Sequence, residues 1–422
     1  MSSATVPSRP AGELERLRRR TVISLVAGVA FGSTGHIAAI TVATIVAADL
    51  AGSPALAGAP GAALVLGSAI GSTFLSRLMT RWGRRSGLTA GYVIGIGGAV
   101  LATAAVLAQS LPLLMIGTLF IGFGNSSNQL SRYTAADLYP VARRASAIGI
   151  VVWGATVGAV IGPNLAGVTA TSASDFGLPT YAGAYLVPAI FVGAAAILSF
   201  VMLRPEPYTL ADRSTTDEPA EERSLSASLE SILRRPNVAA ALAALVAGQV
   251  VMTLVMTMTP LHMTDHGHGL AAVGLVLSGH TFGMFALSPI SGRLTDRFGS
   301  IPVVIGGLAV IATSSVLAAA APPDGGALLF LALFLLGYGW NLGFVAGSTM
   351  LTAGLGLVER TKVEGVTDSV IWSSAAAASL GSGLVVAAAG YTTLGLLGAA
   401  LIVVPVWFVV RRRRAVGALP AA

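Results

Sequence analysis

Long apolar stretches dominate this chain, and short polar breaks divide them into twelve runs. They lie near 22–49, 54–76, 87–108, 112–138, 145–167, 182–203, 238–262, 270–291, 300–321, 327–351, 366–389 and 391–410. A bilayer core about 30 Å thick needs ~20 apolar residues per spanning helix, and each run meets that length. The pattern predicts an all-α membrane protein with twelve transmembrane helices, called runs 1 to 12 here. One polar stretch, 204–237, parts six runs from six. The expected organisation is a tail at 1–21, a six-helix half at 22–203, a linker at 204–237, a second six-helix half at 238–410 and a tail at 411–422. Near the linker's end, from Ser224 to Leu233, Leu225, Leu229, Ile232 and Leu233 share one face, as in a helix lying on a membrane surface.

Composition agrees with this pattern. Of 422 residues, 54% are apolar and 10% charged, and the mean hydropathy of +0.80 excludes a water-soluble domain. A net charge of +7 raises nucleic acid as a partner, but the placement of the charge removes it. Cytoplasmic loops collect Lys and Arg. With a cytoplasmic N-terminus, twenty-four of the twenty-five Lys and Arg residues fall on the cytoplasmic side, in the two tails, the linker and the loops after runs 2, 4, 8 and 10. The basic balance is topology. It predicts a multi-pass protein of the cell inner membrane with both termini cytoplasmic and lipid as its surroundings. Run 1 is too long for a signal-peptide core and leads straight into further spans, so it is expected to be retained. There is no cysteine, which removes disulfides and thiolate metal ligands. No phosphate-binding motif, catalytic triad or soluble domain is present, so neither an enzyme nor an ATP-driven pump is expected, and no cofactor.

The two halves echo each other, as in carriers built from related bundles. Arg81-Trp82-Gly83-Arg84 follows run 2 and Arg297-Phe298-Gly299-Ser300 follows run 8. Trp153 with Gly162 and Trp372 with Gly381 share one spacing in runs 5 and 11. The segment Gly292-Arg293-Leu294-Thr295-Asp296-Arg297-Phe298-Gly299 resembles the loop motif of the major facilitator superfamily. The resemblance implies the major facilitator fold and a gate between halves, with Asp296 and Arg297 as gating residues. Asp296 is placed to pair with an arginine or to cap a neighbouring helix. The first copy keeps Arg81, Gly83, Arg84 and Arg85 but has Ser76 and Thr80 where the pattern has Gly and Asp. Run 5 holds Gly149, Gly158, Gly162 and Pro163, which resembles the antiporter motif of drug exporters and also suits plain close packing.

Candidate chemistry concentrates in 252–284, which holds five of the ten methionines and four of the five histidines. Met252 and Met256 are four residues apart on run 7, and His280 and Met284 repeat that spacing on run 8, so each pair shares a helix face. Thioether and imidazole ligands favour Cu(I). A second group, Met258, His262, Met263, His266 and His268, falls on the extracytoplasmic side as a candidate metal entry. Asp49, Asp175, Asp265 and Asp324 fall on that face too, with no Lys or Arg, so it attracts cations. On these residues alone, metal binding and ordinary methionine packing both stand. The motifs Met252-x-x-x-Met256 and His280-x-x-x-Met284 resemble those of the CcoA-like copper importers. That resemblance implies copper import through Met252, Met256, His280 and Met284, with copper as substrate, a cytoplasmic copper acceptor as partner and a monomer as the working unit. Cysteine-dependent steps of that group have no counterpart here.

Run 4 carries Asn125, Ser126, Ser127, Asn128, Arg132, Tyr133 and Asp137, and run 1 carries His36. Arg132 is the one basic residue placed inside a run and needs an acidic or carbonyl partner, expected on another helix. Arg132, Asp137 and His36 are candidate coupling or gating residues. Asp368 and Glu364 are expected at the membrane interface, at the start of run 11. The reading is a secondary carrier working by alternating access, importing copper. The competing reading is a proton-coupled efflux antiporter for drugs or metabolites.

Overall fold

The structure is a computed structural model that describes residues 11–51, 58–162, 182–211, 229–268, 270–322 and 326–417, with positions 56, 165 and 169. Helices follow the apolar runs in order, because a chain in lipid must satisfy its backbone polar groups within each segment. They are α1 (Ala11–Ala51), α2 (Ala59–Trp82), α3 (Arg84–Leu107), α4 (Leu111–Asp137) and α5 (Val141–Gly162). Next come α6 (Ala182–Met202), α7 (Pro236–Asp265), α8 (Leu270–Phe285 with Ser288–Phe298), α9 (Ser300–Ala320) and α10 (Gly326–Thr352). The stretch Leu357–Leu401 holds the last two, α11 before Gly390 and α12 after it, since Gly390 at φ 79° leaves the helical region. A further helix, Val403–Gly417, prolongs α12.

Ten helices among the described residues are long and apolar enough to cross a membrane. That count takes Leu357–Arg411 once, although its 55 residues are enough for two spans. It also omits α4, whose 27 residues suffice but whose inner half is polar. Twelve spans follow.

The two halves share local geometry. Gly83 ends α2 at φ 89° and Gly299 ends α8 at φ 85°, and their N–H groups return to the Met79 and Thr295 carbonyls, both at 2.9 Å. Glycine adopts this left-handed φ without a Cβ penalty, so the repeated Arg-x-Gly turn is one backbone motif used twice. Packing repeats as well. Helix α3 packs on α4 as α9 packs on α10, and α2 packs on α4 as α8 packs on α10. The main crossings between the halves are α2 with α11 and α5 with α8, with lesser ones of α5 with α10 and α4 with α11.

Small residues make those crossings close. A Cβ on Gly149 would strike the Ser288 carbonyl, one on Gly292 the Ala145 carbonyl, and one on Gly365 the Ser76 side chain. Lipid supplies no hydrophobic drive between helices, so such contact works through dispersion and hydrogen bonds. Helices α4 and α10 lie innermost: Gly339 to Thr352 is buried throughout, and Ile121 to Leu138 is buried except for Gln129. Leu380, Leu384, Ile190 and Ile197 point outward and are more than half exposed, as lipid-facing positions are. Of the linker, Pro207–Leu210 and Leu229–Leu233 are helical, while Ser224 and Leu225 lie outside the described residues. Glu206 accepts the Arg85 N–H at 3.2 Å and ties the linker to α3, and burial raises its carboxyl above the usual range.

Candidate transport site

Arg132 extends from α4 across the seam between the halves. Its Nη2 donates to Asp368 Oδ1 of α11 at 2.6 Å and to the Tyr133 hydroxyl at 2.9 Å, and its Nε donates to Ser348 Oγ of α10 at 3.2 Å. Both charges are almost fully enclosed, with side-chain exposure of 1% and 2%. The guanidinium also lies 4.2 Å from the Tyr133 ring and 4.2 Å from the Phe344 ring, so aromatic faces flank the cation. Phe344 stacks on Trp340, one turn along α10, at 4.5 Å and 17°. The Trp340 indole donates to Gln249 Oε1 of α7 at 2.9 Å. Phe285 of α8 meets Trp340 edge-on at 6.2 Å.

A second ionic group closes the arginine-rich end. Arg84 at the start of α3 donates to Asp137 at 2.7 Å and pairs with Glu364 of α11 at 2.7 Å, while Arg360 lies 3.6 Å from Asp137. Asp137 thus belongs with Arg84 and Arg360, not with Arg132. The expectation that Glu364 and Asp368 sit at the membrane interface is corrected: both are buried and ion-paired. Helix α11 begins at Leu357, earlier than the apolar run, and carries both acids inward. Asp296 accepts the backbone N–H groups of Ala145 and Ser146 at 3.1 and 2.9 Å, in the second turn of α5. Arg297 is exposed and lies over its neighbour Phe298. At the first copy of the motif, Thr80 turns back to the Arg77 carbonyl, and Ser76 donates to the Thr361 carbonyl of α11. Among the described residues, hydrogen bonds and ion pairs between the halves gather toward this end. The seam is closed there.

The Met and His residues are spread over more than one surface. His280 is buried, and its Nδ1 meets the Leu333 carbonyl of α10 at 2.9 Å, leaving Nε2 enclosed without a partner. Helix α8 packs along α10 and α5, and α10 separates most of it from α7. Met252 is buried in α7, and Met256 and Met284 are half-buried against the same apolar core. The two pairs therefore stand on helices that both pack on α10 and only slightly on one another. Near the C-terminal end of α7, Met258 is half-buried and Met263 buried. His262 stacks flat on Tyr391 at 4.2 Å, and His266 lies 4.4 Å from His262 with its Nδ1 on the His262 carbonyl. His268 lies beside Gly326 at the start of α10. Among the described residues no three His, Asp or Glu side chains gather as a metal site. His36 on α1 has its Nδ1 buried without a hydrogen-bond partner. In α5, Gly158 and Gly162 pack against α1, and Pro163, Asp175 and Asp324 lie outside the described residues.

The family model described as Major Facilitator Superfamily matches residues 23–272 and 251–422, nearly the whole chain in two overlapping parts. The chain belongs to the major facilitator superfamily. Relatives include the "Uncharacterized MFS-type transporter YdeG" of Bacillus subtilis, 36% identical over 394 residues, covering 92% of this chain and 91% of that one. The "Riboflavin transporter RfnT" of Brucella anthropi is 32% identical over 390 residues, covering 92% of this chain and 95% of that one. Among solved structures, the human organic anion transporter MFSD10 superposes with a TM-score of 0.72 at 15% identity, over 95% of this chain and 100% of that one. A bacterial homologue of the iron transporter ferroportin in an outward-facing state gives 0.72 at 13%, over 93% and 99%. At such identities these two matches speak to fold.

In this facilitator, reading the sequence misses Arg84, Glu364 and Asp368 as buried partners, along with Gln249, Trp340 and Phe344. One signal was available. Asp368 lies within reach of a run and is the kind of acid an enclosed Arg132 requires.

Proposed function

We propose that this facilitator carries a small organic solute across the inner membrane by alternating access, with its arginine-rich end cytoplasmic. The observation that carries the reading is the enclosed Arg132–Asp368 pair, which joins α4 of one half to α11 of the other at 2.6 Å. A carrier must break and remake contact between its halves. A charge pair buried at the seam is costly to leave unmatched, so it favours two discrete states over intermediate ones. The riboflavin transporter named among the relatives supports an organic cargo, and riboflavin is the first solute to test. Purified protein in liposomes is expected to exchange labelled riboflavin, and Arg132→Ala and Asp368→Asn each to lower exchange at least tenfold. Exchange indifferent to both substitutions would remove the seam from the mechanism.

Copper import is a second reading, favoured by one feature of His280. Its Nδ1 is held by a backbone carbonyl while Nε2 is enclosed and unpartnered, an arrangement that orients metal-binding imidazoles. Met284, one turn along the same helix, supplies a thioether. Radiolabelled copper uptake that falls with His280→Ala and Met252→Ala supports it. Uptake indifferent to both excludes it.

A further inference from the structure

We infer that Trp340 and Gln249 form the solute site, that its ligand is a planar heteroaromatic ring with a carbonyl and N–H edge, and that Phe344, which covers Trp340 until the ligand displaces it, transmits occupancy to the seam. The inference rests on the reading of the chain as a carrier of an organic solute and names that solute's chemistry.

The site stands near the middle of the membrane-spanning frame. Gln249 lies in the central part of α7, Trp340 in the central part of α10, and Phe285 where the two segments of α8 meet. Trp340 and Phe344 lie nearly parallel at 4.5 Å, a geometry that a third flat ring can extend or replace. The indole N–H is already used on Gln249 Oε1, so it fixes the ring plane and is not left seeking a partner. Gln249 Nε2 reaches Thr253 Oγ1 at 3.3 Å. Beyond these two bonds a carboxamide retains one N–H and one oxygen lone pair. That remaining pair matches the alternating carbonyl and N–H edge of an imide or lactam, as in flavins and pterins. No charge is offered on this side of the stack, which suits a neutral ring.

The stack also continues into the lock. Phe344 presents one face to Trp340, and its ring lies 4.2 Å from the Arg132 guanidinium, whose Nη2 holds Asp368 at 2.6 Å. Beside Phe344 lies a narrow cleft lined by Leu245, Gly248, Ile311 and Gly343, and a Cβ built on Gly343 would meet nothing within 4 Å. The cleft, about 10 Å³, loosens the packing beside the ring without being large enough to hold it. A solute ring stacking on Trp340 takes the place of Phe344, which rotates off the stack and uncovers one face of Arg132. The cation then loses an aromatic partner that works best in a dry site, and its hold on Asp368 across the seam weakens. Binding and opening are linked because one phenyl ring serves both stacks.

The test uses the full chain in lipid nanodiscs, with riboflavin and with lumichrome, a flavin-type ring without the sugar-alcohol chain. Ring binding is read by quenching of ligand fluorescence. The chain has no cysteine, so spin labels on Arg81→Cys and Arg293→Cys, exposed positions in opposite halves, report seam opening without background. Trp340→Leu is expected to weaken both ligands at least tenfold, while Trp340→Phe stays within about threefold and shows that the fold tolerates change there. Phe344→Leu is expected to keep binding within about threefold yet lose the ligand-driven lengthening of the label distance. Unchanged affinity in Trp340→Leu, or undiminished lengthening in Phe344→Leu, would overturn the inference. So would a wild type that moves another solute but binds neither ring, and in that case the carrier reading survives. A label distance that never changes with any solute removes the carrier reading and this inference with it.

Discussion

Asp296 of α8 accepts the Ser146 backbone N–H at 2.9 Å, and so one half of the protein holds the N-terminal part of a helix belonging to the other. Ala145 and Ser146 lie in the second turn of α5, which begins at Val141, and the N-terminal end of a helix carries partial positive charge, so a carboxylate there is a favourable contact. A hydrogen bond of this kind contributes about 1 kcal/mol. Asp296→Ala is expected to shift the seam toward the open state by roughly fivefold, the equivalent of that energy. The distance distribution between labels on Arg81→Cys and Arg293→Cys measures it, and an unchanged distribution would show that the contact does not hold the seam.

The Arg84 group balances two cations, Arg84 and Arg360, against two acids, Asp137 and Glu364. Asp137→Asn leaves the cations in excess inside a closed interface. Breaking one member of a buried network costs about 3–5 kcal/mol, so a clear drop in Tm is expected by fluorescence-monitored melting in detergent. Adding Arg360→Gln restores the balance and is expected to recover much of the loss. A double variant as unstable as the sum of its parts would show that the charges do not act together.

Close approach of α5 and α8 depends on Gly149 lying against Ser288. Gly149→Val is expected to prevent closure of the arginine-rich end while leaving helical content unchanged by circular dichroism. A cysteine introduced at Ser288 then becomes reactive to a water-soluble maleimide from that side. Full protection of that cysteine, as in the parent, counts against the proposed approach.

His280 separates the two cargo readings by its effect on each. His280→Ala leaves the Leu333 carbonyl without its side-chain partner, a modest cost of about 1 kcal/mol for a lost hydrogen bond. Riboflavin exchange is expected to change less than threefold. Copper uptake, if copper is the cargo, is expected to fall at least tenfold in the same preparation.

The twelve helices were legible because lipid leaves a backbone so few options, and the Arg-x-Gly turns were legible because only glycine takes that φ freely. Depth was harder to read. Asp368 looked interfacial because it falls near the start of run 11, yet α11 starts at Leu357 and Asp368 is buried against Arg132 of α4. Which helices touch was harder still. The Met pair on α7 and the His–Met pair on α8 are close in sequence and joined by a short turn, which suggested neighbours facing each other. Helix α10, some fifty residues further along, takes the place between them and supplies the Leu333 carbonyl to His280. Trp340 and Phe344 carried no signal as a pair, since two aromatics one turn apart in an apolar helix usually mean packing.

The difference between Asp296 and Thr80 has a mechanical meaning. One edge of the seam, α5 with α8, is fastened by two backbone N–H groups on a carboxylate and by glycines in contact with main chain. The opposite edge, α2 with α11, lacks that carboxylate; hydroxyl contacts and the nearby Arg84 group hold it instead. Contacts of main chain to main chain tolerate rotation but resist separation, whereas an ion pair releases once a proton or a rival charge arrives. The halves should then swing as a door does, hinged along α5 and α8 and latched along α2 and α11.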